Sequence, residues 1–543
     1  MSKAGDSVTE HAQEKEMGVV AAKVVGGNST YNQALLKEPP NAFTKSSMFL
    51  FGASLLGFFC STMNGYDGSL YNALLANSNF LEYFNTANKG IGAGIVSSMY
   101  QIGGIAALPF VGPLIDLWGR KVGMFVGSIT VIVGTIVSAV VQNGNVGQFM
   151  GGRFLLGFGV AIASAAGPIY VIEVSHPAYR GRVGAFFNTF WFTGSILSSG
   201  VTRGAQNLGG HASWRIPVWV QMLFAGLIAL FVFLLPESPR WLYVNNKKDQ
   251  AKAMLVKFHG NGNEESEWVK LQLSEYNEHL EMDGADKRWW DYRALFKDNV
   301  SRYRMFCCCT VSIFSQWAGN AVLSYFMSAV LDSAGINSDV AQLNIILINS
   351  CQQFCWALLG ATLVDRVGRR PLLLFTNVSC SIVWLVICIT SSRFAAGGGT
   401  DTDPGTNPAA GTATLAFIFI FGAVYSIGFT PLQALYPVEV LSFEMRAKGM
   451  AFQTLALNAA MLLNQFAWPV AMDDIGWYTY IIFCIWCAIQ AVVIYFFIPE
   501  TRKATLEELD IIFQSPNSVK VSIQRHKVGI SADGNVVKLD SES

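Results

Sequence analysis

Two ionisable side chains stand inside long apolar stretches of the sequence, where a charge is costly. Asp67 lies in the run Asn64-Gly-Tyr-Asp-Gly68, and Arg153 lies in the run Gly152-Arg-Phe-Leu-Leu-Gly-Phe-Gly159. A guanidinium close to Asp67 would favour the ionised carboxylate, and its departure would favour proton uptake. The two residues therefore predict a proton that binds and leaves. The alternatives are a permanent structural ion pair, or an Asp67 that reaches out to the lipid surface.

Amide side chains recur within the later apolar stretches. Amides offer paired donors and acceptors, and aromatic rings offer an apolar face, which together suit a polar, uncharged small molecule. Gln316 and Asn320 are four residues apart, which would place both on one helix face. The candidate substrate-binding residues are Gln316, Asn320, Tyr325, Asn349, Gln353, Gln433 and Asn464. Weaker candidates, for which hydrogen bonding between packed helices is the main alternative, are Gln101, Asn188, Gln221, Asn458 and Gln465.

The stretches that carry these residues are apolar enough to cross a lipid bilayer, and the composition of the whole chain indicates a membrane protein. Only 14% of the 543 residues are charged and 52% are hydrophobic, whereas soluble chains carry about 25% charged residues. A span across about 30 Å of hydrocarbon takes about 20 apolar residues. Twelve spans, numbered in chain order, are predicted near 47–70, 91–113, 122–141, 148–171, 183–203, 214–235, 305–331, 341–364, 371–391, 413–437, 449–471 and 477–498.

Lysine and arginine residues predict the orientation, because short cytosolic loops are enriched in them. With the N-terminus in the cytosol, the basic groups Arg120–Lys121, Arg180/Arg182, Arg366/Arg369/Arg370 and Arg446/Lys448 all fall on the cytosolic side. The opposite side keeps only Lys89, Arg203, Arg215 and Arg393. The sequence therefore predicts a multi-pass protein of the plasma membrane with both termini in the cytosol. Lys+Arg and Asp+Glu balance at 37 each, so no basic excess points to nucleic acid.

The predicted fold is an all-α membrane protein with two pseudo-symmetric six-helix bundles and a cytosolic helical linker. The segments are an N-terminal tail at 1–46, a first bundle at 47–235, a linker at 236–304, a second bundle at 305–498 and a C-terminal tail at 499–543. Helix-like stretches in the linker run over Asp249–His259 and Glu264–Met282. Both tails are polar, and we expect them to be disordered.

Short motifs at the ends of the spans occur twice. The matched pairs are Asp116-Leu-Trp-Gly-Arg-Lys121 with Asp365-Arg-Val-Gly-Arg-Arg370, Glu173 and Arg180 with Glu439 and Arg446, and Pro236-Glu-Ser238 with Pro499-Glu-Thr501. Basic loops alone would explain the arginines but not the matched Asp, Gly and Glu positions. The repeat predicts a duplicated six-span unit, which is a known plan for transporters with a central binding site.

The same motifs carry a family resemblance. Gly112-Pro-Leu-Ile-Asp-Leu-Trp-Gly-Arg-Lys121, Pro236-Glu-Ser-Pro-Arg-Trp-Leu242 and Pro499-Glu-Thr-Arg-Lys-Ala-Thr-Leu-Glu-Glu-Leu-Asp510 resemble the sugar porter family of the major facilitator superfamily. Within that family, Phe314-Ser-Gln-Trp-Ala-Gly-Asn320 and Thr430-Pro-Leu-Gln-Ala-Leu-Tyr-Pro-Val-Glu-Val440 look like the fungal lactose-permease and cellodextrin-transporter branch.

The resemblance implies roles for the charged residues. Proton-coupled sugar porters carry an aspartate in span 1 and an arginine in span 4 at the positions of Asp67 and Arg153. Charged groups at the cytosolic span ends form a latch that closes the inner side in the outward-open state. The residues implied as this latch are Asp116, Arg120, Glu173, Arg180, Asp365, Arg369, Glu439 and Arg446. No cofactor is expected, since the proton gradient would drive transport, and we expect a monomer.

Two departures from the resemblance bear on the substrate. Hexose porters usually carry Gln-Gln-x-x-Gly-x-Asn in span 7, whereas this chain has one glutamine and an adjacent Gly319-Asn320. They also usually carry a tryptophan where this chain has Ala434. A missing indole leaves a larger cavity, so we expect a disaccharide such as lactose or cellobiose, although Trp317 or Trp468 could compensate.

The leading interpretation is a proton–sugar symporter, and two alternatives remain. An uncoupled hexose facilitator would not need Asp67. A transporter-like sugar sensor usually carries a longer cytosolic tail than residues 499–543. An enzyme is not expected, because the chain has no Gly-x-Ser-x-Gly, no His-Glu-x-x-His and no phosphate-binding loop.

Overall fold

Twelve spans arranged as two bundles form the body of the protein in the computed structural model. It describes residues 37–283, 293–332, 334–397, 407–442, 445–502, 506–523, 527–530 and 536–539. Spans 1 to 6 are Lys45–Leu75, Gly90–Trp118, Arg120–Ala139, Val146–Val174, Arg180–Gln206, and the consecutive helices Ala212–Val220, Met222–Phe231 and Val232–Leu234, the last of which is a 3-10 helix. Within the described residues, ten helices are long and apolar enough to cross a membrane by length and composition.

The second bundle repeats this order. Span 7 consists of the helices Asn299–Trp317, Asn320–Tyr325 and Met327–Asp332. Spans 8 to 12 are Asp339–Val367, Arg369–Ala396, Pro408–Val440, Arg446–Asp474, and the 3-10 turn Gly476–Tyr478 with the helix Thr479–Phe497. Span 7 begins at Asn299, earlier than the predicted 305.

Contacts between the bundles obey the internal repeat. Span 2 packs against span 11, and span 5 packs against span 8. Span 2 corresponds to span 8 in the duplication, and span 5 corresponds to span 11. Exchanging the two bundles therefore turns the first contact into the second, as a pseudo-twofold arrangement requires. Within the first bundle, spans 3 and 4 approach closely at Gly127 and Gly159. A Cβ added at Gly127 would lie 2.7 Å from the Gly159 carbonyl oxygen, so this contact requires glycine.

Span 7 departs from the continuous helix expected from the sequence. It is interrupted at Ala318 and Gly319, and Gly319 has a φ of 102°, which favours glycine. The freed carbonyl oxygen of Ala318 accepts a hydrogen bond from Trp384 Nε1 at 2.9 Å. The expectation that Gln316 and Asn320 share one helix face is therefore wrong, because the helix ends between them. Discontinuous spans are a device by which transporters build binding sites at mid-membrane.

The remaining helices lie outside the spans. They are α1 (Ser78–Phe84), α2 (Pro239–Val244), α3 (Lys248–Phe258), α4 (Glu267–Asp283), α5 (Leu506–Gln514) and α6 (Ser518–Ile523). A 3-10 turn, Arg293–Phe296, precedes span 7. Strands β1 (Lys527–Ile530) and β2 (Val536–Leu539) pair antiparallel. We call the side of the molecule that carries the linker helices α2–α4 the linker face, and the other side the opposite face.

The linker is fastened to the end of span 4 by two buried histidines. His259 Nε2 donates to the carbonyl oxygen of Val174 at 3.1 Å, and His259 Nδ1 accepts from Gln272 Nε2 at 2.9 Å. His176 lies beside it, with ring centroids 5.4 Å apart. Burial lowers the pKa of His259 to about 3 and that of His176 to about 4. Both imidazoles are therefore neutral near pH 7.

The two tails are less disordered than the sequence predicts. Residues 1–36 lie outside the described part of the chain, but Glu38 accepts hydrogen bonds from Ser266 and, through its backbone, from Trp268 Nε1 at 2.9 Å. In the C-terminal tail, α5 buries Leu509 and Phe513, which are one helical turn apart. The prediction of disorder is therefore wrong for this part of the C-terminal tail, because an apolar stripe of α5 packs against the second bundle.

Candidate functional site

Asp67 is almost completely buried within the first bundle, with 1% of its surface exposed. Its Oδ1 accepts a hydrogen bond from Gln221 Nε2 at 3.0 Å. Its Oδ2 has no hydrogen-bond partner among the described residues. A buried carboxylate oxygen without a donor is unfavourable when ionised, and a proton on that oxygen removes the charge. Gln221 lies at the joint between the helices Ala212–Val220 and Met222–Phe231 of span 6.

Arg153 is also buried, and it contacts the same side of span 1 as Asp67. Its Nε donates to the carbonyl oxygen of Val96 at 3.1 Å. Its guanidinium carbon lies 4.5 Å from the ring centre of Tyr71 and 5.5 Å from that of Tyr100. Tyr71 follows Asp67 by four residues, which is one helical turn. The structure thus places Arg153 one turn along span 1 from Asp67, with its charge on two aromatic faces.

Three of the candidate amides meet where spans 7, 10 and 11 approach one another. Gln316 Nε2 lies 3.4 Å from Gln433 Oε1, and Asn464 Nδ2 donates to the backbone oxygen of Gln316 at 2.9 Å. Asn464 Oδ1 accepts from Trp468 Nε1 at 2.8 Å. Amides and an indole therefore share one hydrogen-bonded cluster, which we call the lower cluster. Gln433 is less buried than the other two amides, whose side chains are nearly inaccessible.

A second group of amides, the upper cluster, lies between spans 8 and 10. A Cβ added at Gly422 would lie 2.9 Å from Asn349 Oδ1 and 3.0 Å from Gln353 Nε2. Gln352, which the sequence analysis did not single out, donates to Asn349 Oδ1 at 3.0 Å. Gly422 precedes Gln433 by eleven residues, or about 16 Å along a helix. The structure therefore divides the predicted amides between two depths.

Asn320, another predicted sugar-binding residue, joins neither cluster. Asn320 lies beyond the break in span 7, where its Oδ1 accepts from Ser324 Oγ at 3.1 Å. The side chain of Tyr325 lies outside the described part of the structure. Among the weaker candidates, Gln221 binds Asp67 rather than lining an amide cluster. Gln465 is buried, and its Oε1 has no hydrogen-bond partner among the described residues.

Charged residues at the linker face form a matching network in each bundle. Arg120 Nε lies 2.9 Å from Glu173 Oε2, and Arg120 Nη1 lies 3.4 Å from Asp116 Oδ1. In the second bundle, Arg369 Nη2 lies 2.7 Å from Glu439 Oε1. These pairs join spans of one bundle rather than the two bundles. Arg180 Nε is buried without a hydrogen-bond partner among the described residues, and the side chains of Asp365 and Arg446 lie outside them.

Both networks include hydroxyl groups that the sequence analysis did not assign to them. Ser238 Oγ donates to Glu173 Oε2 at 2.5 Å, and Thr501 Oγ1 donates to Glu439 Oε2 at 2.6 Å. These hydroxyls belong to the repeated Pro-Glu-Ser and Pro-Glu-Thr motifs, which served above only as markers of the duplication. Their matched spacing after spans 6 and 12 was the signal that could have placed them in the network.

Comparison with known proteins identifies the family. The family model described as "Sugar (and other) transporter" matches residues 53–513. The chain belongs to this transporter family. Its relatives include a "High-affinity glucose transporter" of Kluyveromyces lactis, 27% identical over 497 residues and 86% of each chain. A "Probable quinate permease" of Aspergillus fumigatus is 26% identical over 519 residues, covering 89% of this chain and 90% of that protein.

Solved structures support the fold of this sugar transporter. An inward-open conformation of the xylose transporter XylE from E. coli matches with a TM-score of 0.69 at 20% identity, covering 86% of this chain and all of that one. The predicted twelve-helix architecture of the major facilitator superfamily is confirmed, and the protein is a transporter rather than an enzyme. The resemblance to the lactose and cellodextrin branch stays a prediction, since these relatives are named for glucose and quinate.

Proposed function

We propose that this sugar transporter is a symporter of the plasma membrane that imports one neutral sugar together with a proton. In this proposal the linker face is cytosolic and the opposite face is outside. The observation that carries the proposal is the environment of Asp67, which is buried, bonded to Gln221 through one oxygen, and without a described hydrogen-bond donor on the other. An uncoupled facilitator has no use for so costly a group.

The proton step follows from the geometry of the first bundle. Gln221 holds one oxygen of Asp67, which leaves the second oxygen as the atom that takes the proton. Arg153 lies one turn away on Tyr71, so a small movement of span 4 against span 1 changes its distance from the carboxylate. An approaching guanidinium favours proton release, and a retreating one favours proton uptake. Alternating exposure of the site would couple these steps to sugar movement.

The substrate class follows from the second bundle. Both clusters consist of amides that offer donors and acceptors without a net charge, which suits the hydroxyl groups of a sugar. A carboxylate such as that of quinate needs a cation or several aimed donors. Arg153, the arginine predicted within the membrane interior, is engaged with Tyr71, Tyr100 and the backbone of Val96. We therefore favour a neutral sugar over quinate.

A two-ring sugar fits the separation of the amide clusters better than one ring. Gly422 at the upper cluster and Gln433 at the lower cluster are about 16 Å apart along the axis of span 10, which is longer than a single hexose ring. Gln316 and Gln433 would bind one ring, and Asn349 and Gln353 would bind the other. We propose lactose or cellobiose as the type of substrate, with glucose as a weaker one.

Transport by the purified protein in liposomes tests this proposal. With an inward proton gradient, we expect labelled lactose or cellobiose to accumulate above the outside concentration, with acidification of the lumen. A protonophore should abolish accumulation but leave downhill uptake. Accumulation without proton entry would exclude symport. Preferential uptake of glucose would exclude the disaccharide assignment, and preferential uptake of quinate would exclude the neutral-sugar assignment.

A further inference from the structure

A carboxylate of the second bundle joins the two bundles at the opposite face. Asp339 is the first residue of span 8, and its Oδ2 accepts hydrogen bonds from the backbone N–H of Ser78 at 2.9 Å and from Ser78 Oγ at 2.5 Å. Gln206 Nε2 donates to the same oxygen at 3.0 Å. Ser78 begins helix α1 after span 1, and Gln206 ends span 5. One oxygen atom therefore holds two separate elements of the first bundle.

Two further carboxylates of the second bundle also contact donor groups of the first bundle at the same boundary. Asp332 accepts from Asn88 Nδ2 at 2.5 Å, and Asp473 Oδ1 lies 3.9 Å from Lys89 Nζ. In each contact the acceptor belongs to the second bundle and the donor to the first. The three carboxylates thus meet mostly neutral donors, unlike the ion pairs of the linker face. Arg203 Nε of span 5 also donates across this boundary, to Asn344 Oδ1 of span 8 at 2.8 Å.

Of the three carboxylates, Asp339 makes the most hydrogen bonds to the first bundle. It collects three donors from the first bundle, whereas Asp332 divides its oxygens between Asn88 and Gln342 of its own bundle. The pair of Lys89 and Asp473 is long and half exposed, and such surface pairs contribute little. Hydrogen bonds to a charged acceptor are stronger than those between neutral groups.

We propose that Asp339 is the residue that holds the opposite face closed. Opening this face must separate Asp339 from Ser78 and Gln206 at the same time, because both residues belong to the first bundle, which moves away from span 8. The residue acts by positioning α1 and span 5, not by touching the sugar or the proton. The inference rests on the proposed alternating access, since a static protein would have no second state for Asp339 to disfavour.

Distances between spin labels across the opposite face test this role directly. Labels are placed through Leu208→Cys and Ile475→Cys, at exposed outer positions of the first and second bundles, after the exposed Cys351 and Cys355 are changed to serine. In Asp339→Ala we expect the ratio of open to closed molecules to rise by about tenfold or more, as lost bonds to a charged acceptor imply.

A matched control and a second variant keep the test decisive. Glu82→Ala removes an exposed carboxylate of α1 whose side chain makes no hydrogen bond to the described residues, and it should leave the ratio unchanged. Gln206→Leu removes one of the three donors and should shift the ratio in the same direction by less. If Asp339→Ala does not fold, Gln206→Leu decides alone.

The proposal is overturned if these variants keep the wild-type distances, or if Glu82→Ala opens the face equally. The measurement uses neither sugar nor proton gradient. A failure of Asp339 as the gate residue is therefore distinguishable from a failure of proton–sugar symport.

Discussion

At the linker face, the two bundles are nearly copies of each other. Arg120 binds Glu173 and Arg369 binds Glu439, each supported by the hydroxyl that follows a Pro-Glu motif. Tyr170 donates to the carbonyl oxygen of Pro236 at 2.9 Å, and Tyr436 donates to that of Pro499 at 3.1 Å. The duplication has kept this framework, which ties the ends of the spans together within each bundle.

The interiors of the two bundles share almost nothing. The first contains a buried carboxylate, its amide partner and an arginine on two aromatic rings. The second contains a broken span and neutral amides. In the proposed function the two copies have specialised, the first bundle in handling charge and the second in binding hydroxyl groups. If so, substitutions in one interior should leave the role of the other intact.

The largest expected effect comes from Asp67→Asn in the first bundle. An amide at this position cannot bind and release a proton, so sugar accumulation against a gradient should be lost entirely. Downhill exchange and the half-saturation concentration should change little, because the amide clusters are untouched. The measurement is the ratio of internal to external labelled sugar in liposomes with an inward proton gradient.

The matched control for Asp67→Asn is Glu82→Gln, which changes an exposed carboxylate outside the spans. It should accumulate sugar like the unmodified protein. Uphill accumulation by Asp67→Asn would remove Asp67 from the proton path and end the assignment of coupling to the first bundle.

The next effect is expected from Gln316→Ala in the second bundle. Loss of a hydrogen bond in a buried polar cluster costs about 1–3 kcal/mol, which corresponds to a half-saturation concentration about 5-fold to 150-fold higher. Coupling should survive, so the sugar-to-proton ratio should stay constant. Saturation curves for sugar uptake, together with proton uptake in the same vesicles, measure both quantities.

Gln490→Ala is the control for Gln316→Ala within the same bundle. Gln490 Nε2 donates to the backbone oxygen of Phe314 at 3.3 Å, so it supports span 7 without joining an amide cluster. It should reduce thermal stability rather than apparent affinity. The same pattern in Gln316→Ala would mean that Gln316 only packs the helices.

The shared framework could be predicted from sequence, whereas the differing interiors could be predicted only in part. Matched motifs such as Asp116–Lys121 indicated the duplication, because two similar motifs can be recognised in a sequence without knowing which residues contact each other. Hydropathy likewise indicated the spans, since lipid imposes length and composition. Asp67 and Arg153 could be found because charge is rare in a span.

The rest depended on contacts between distant parts of the chain. The break in span 7 follows from Gly319 packing on Trp384, where an added Cβ would lie 2.4 Å from the indole ring. No local sequence pattern around Gly319 predicts that Trp384 packs against it. Gln221 as the partner of Asp67 and Asp339 as an acceptor for Ser78 are similar cases, because each joins residues more than a hundred positions apart.

Glu173→Gln and Glu439→Gln test whether the framework is symmetric, and we expect them to lower stability equally while affecting transport less than Gln316→Ala does. Each change weakens a buried network by removing the charge that the arginine faces, so the free energy of unfolding should fall by about 1–3 kcal/mol. The two effects should add, because the sites are far apart. Thermal unfolding in detergent measures them, with the exposed pair of Lys252 and Glu264 as the control, through Glu264→Gln.

A result in which only one of the two glutamate variants loses stability would contradict the shared framework. The control Glu264→Gln should shift the unfolding temperature hardly at all, since exposed ion pairs contribute about 0–1 kcal/mol. A loss in the control comparable to the other two would mean that charge removal alone, and not the network, lowers stability.

The smallest effect expected near neutral pH is a change in how firmly the linker packs on the first bundle, compared with α5 on the second. The linker is held on the first bundle by His176 and His259, whereas α5 is held on the second by Arg304 and Asp510, whose Nη2 and Oδ1 atoms are 2.5 Å apart. Burial lowers the pKa of the two histidines from 6.5 to about 4 and about 3. The released linker therefore binds more protons, and its docking is weakened as the pH falls below about 6.5, down to the pKa values of the docked histidines.

Hydrogen exchange of α3, compared with that of α5 in the same sample, measures this difference. Exchange in α3, corrected for the intrinsic pH dependence of the amides, should rise as the pH is lowered from 7.5 to 5. Exchange in α5 should respond less, since no described histidine makes a hydrogen bond or ring contact with it. In His259→Gln, the amide can still donate to the Val174 oxygen but cannot be protonated, so the response of α3 should become shallower. A response in α3 that His259→Gln leaves unchanged would assign the acid sensitivity of the linker to other groups, and an equal response in α5 would show that acid loosens both bundles alike.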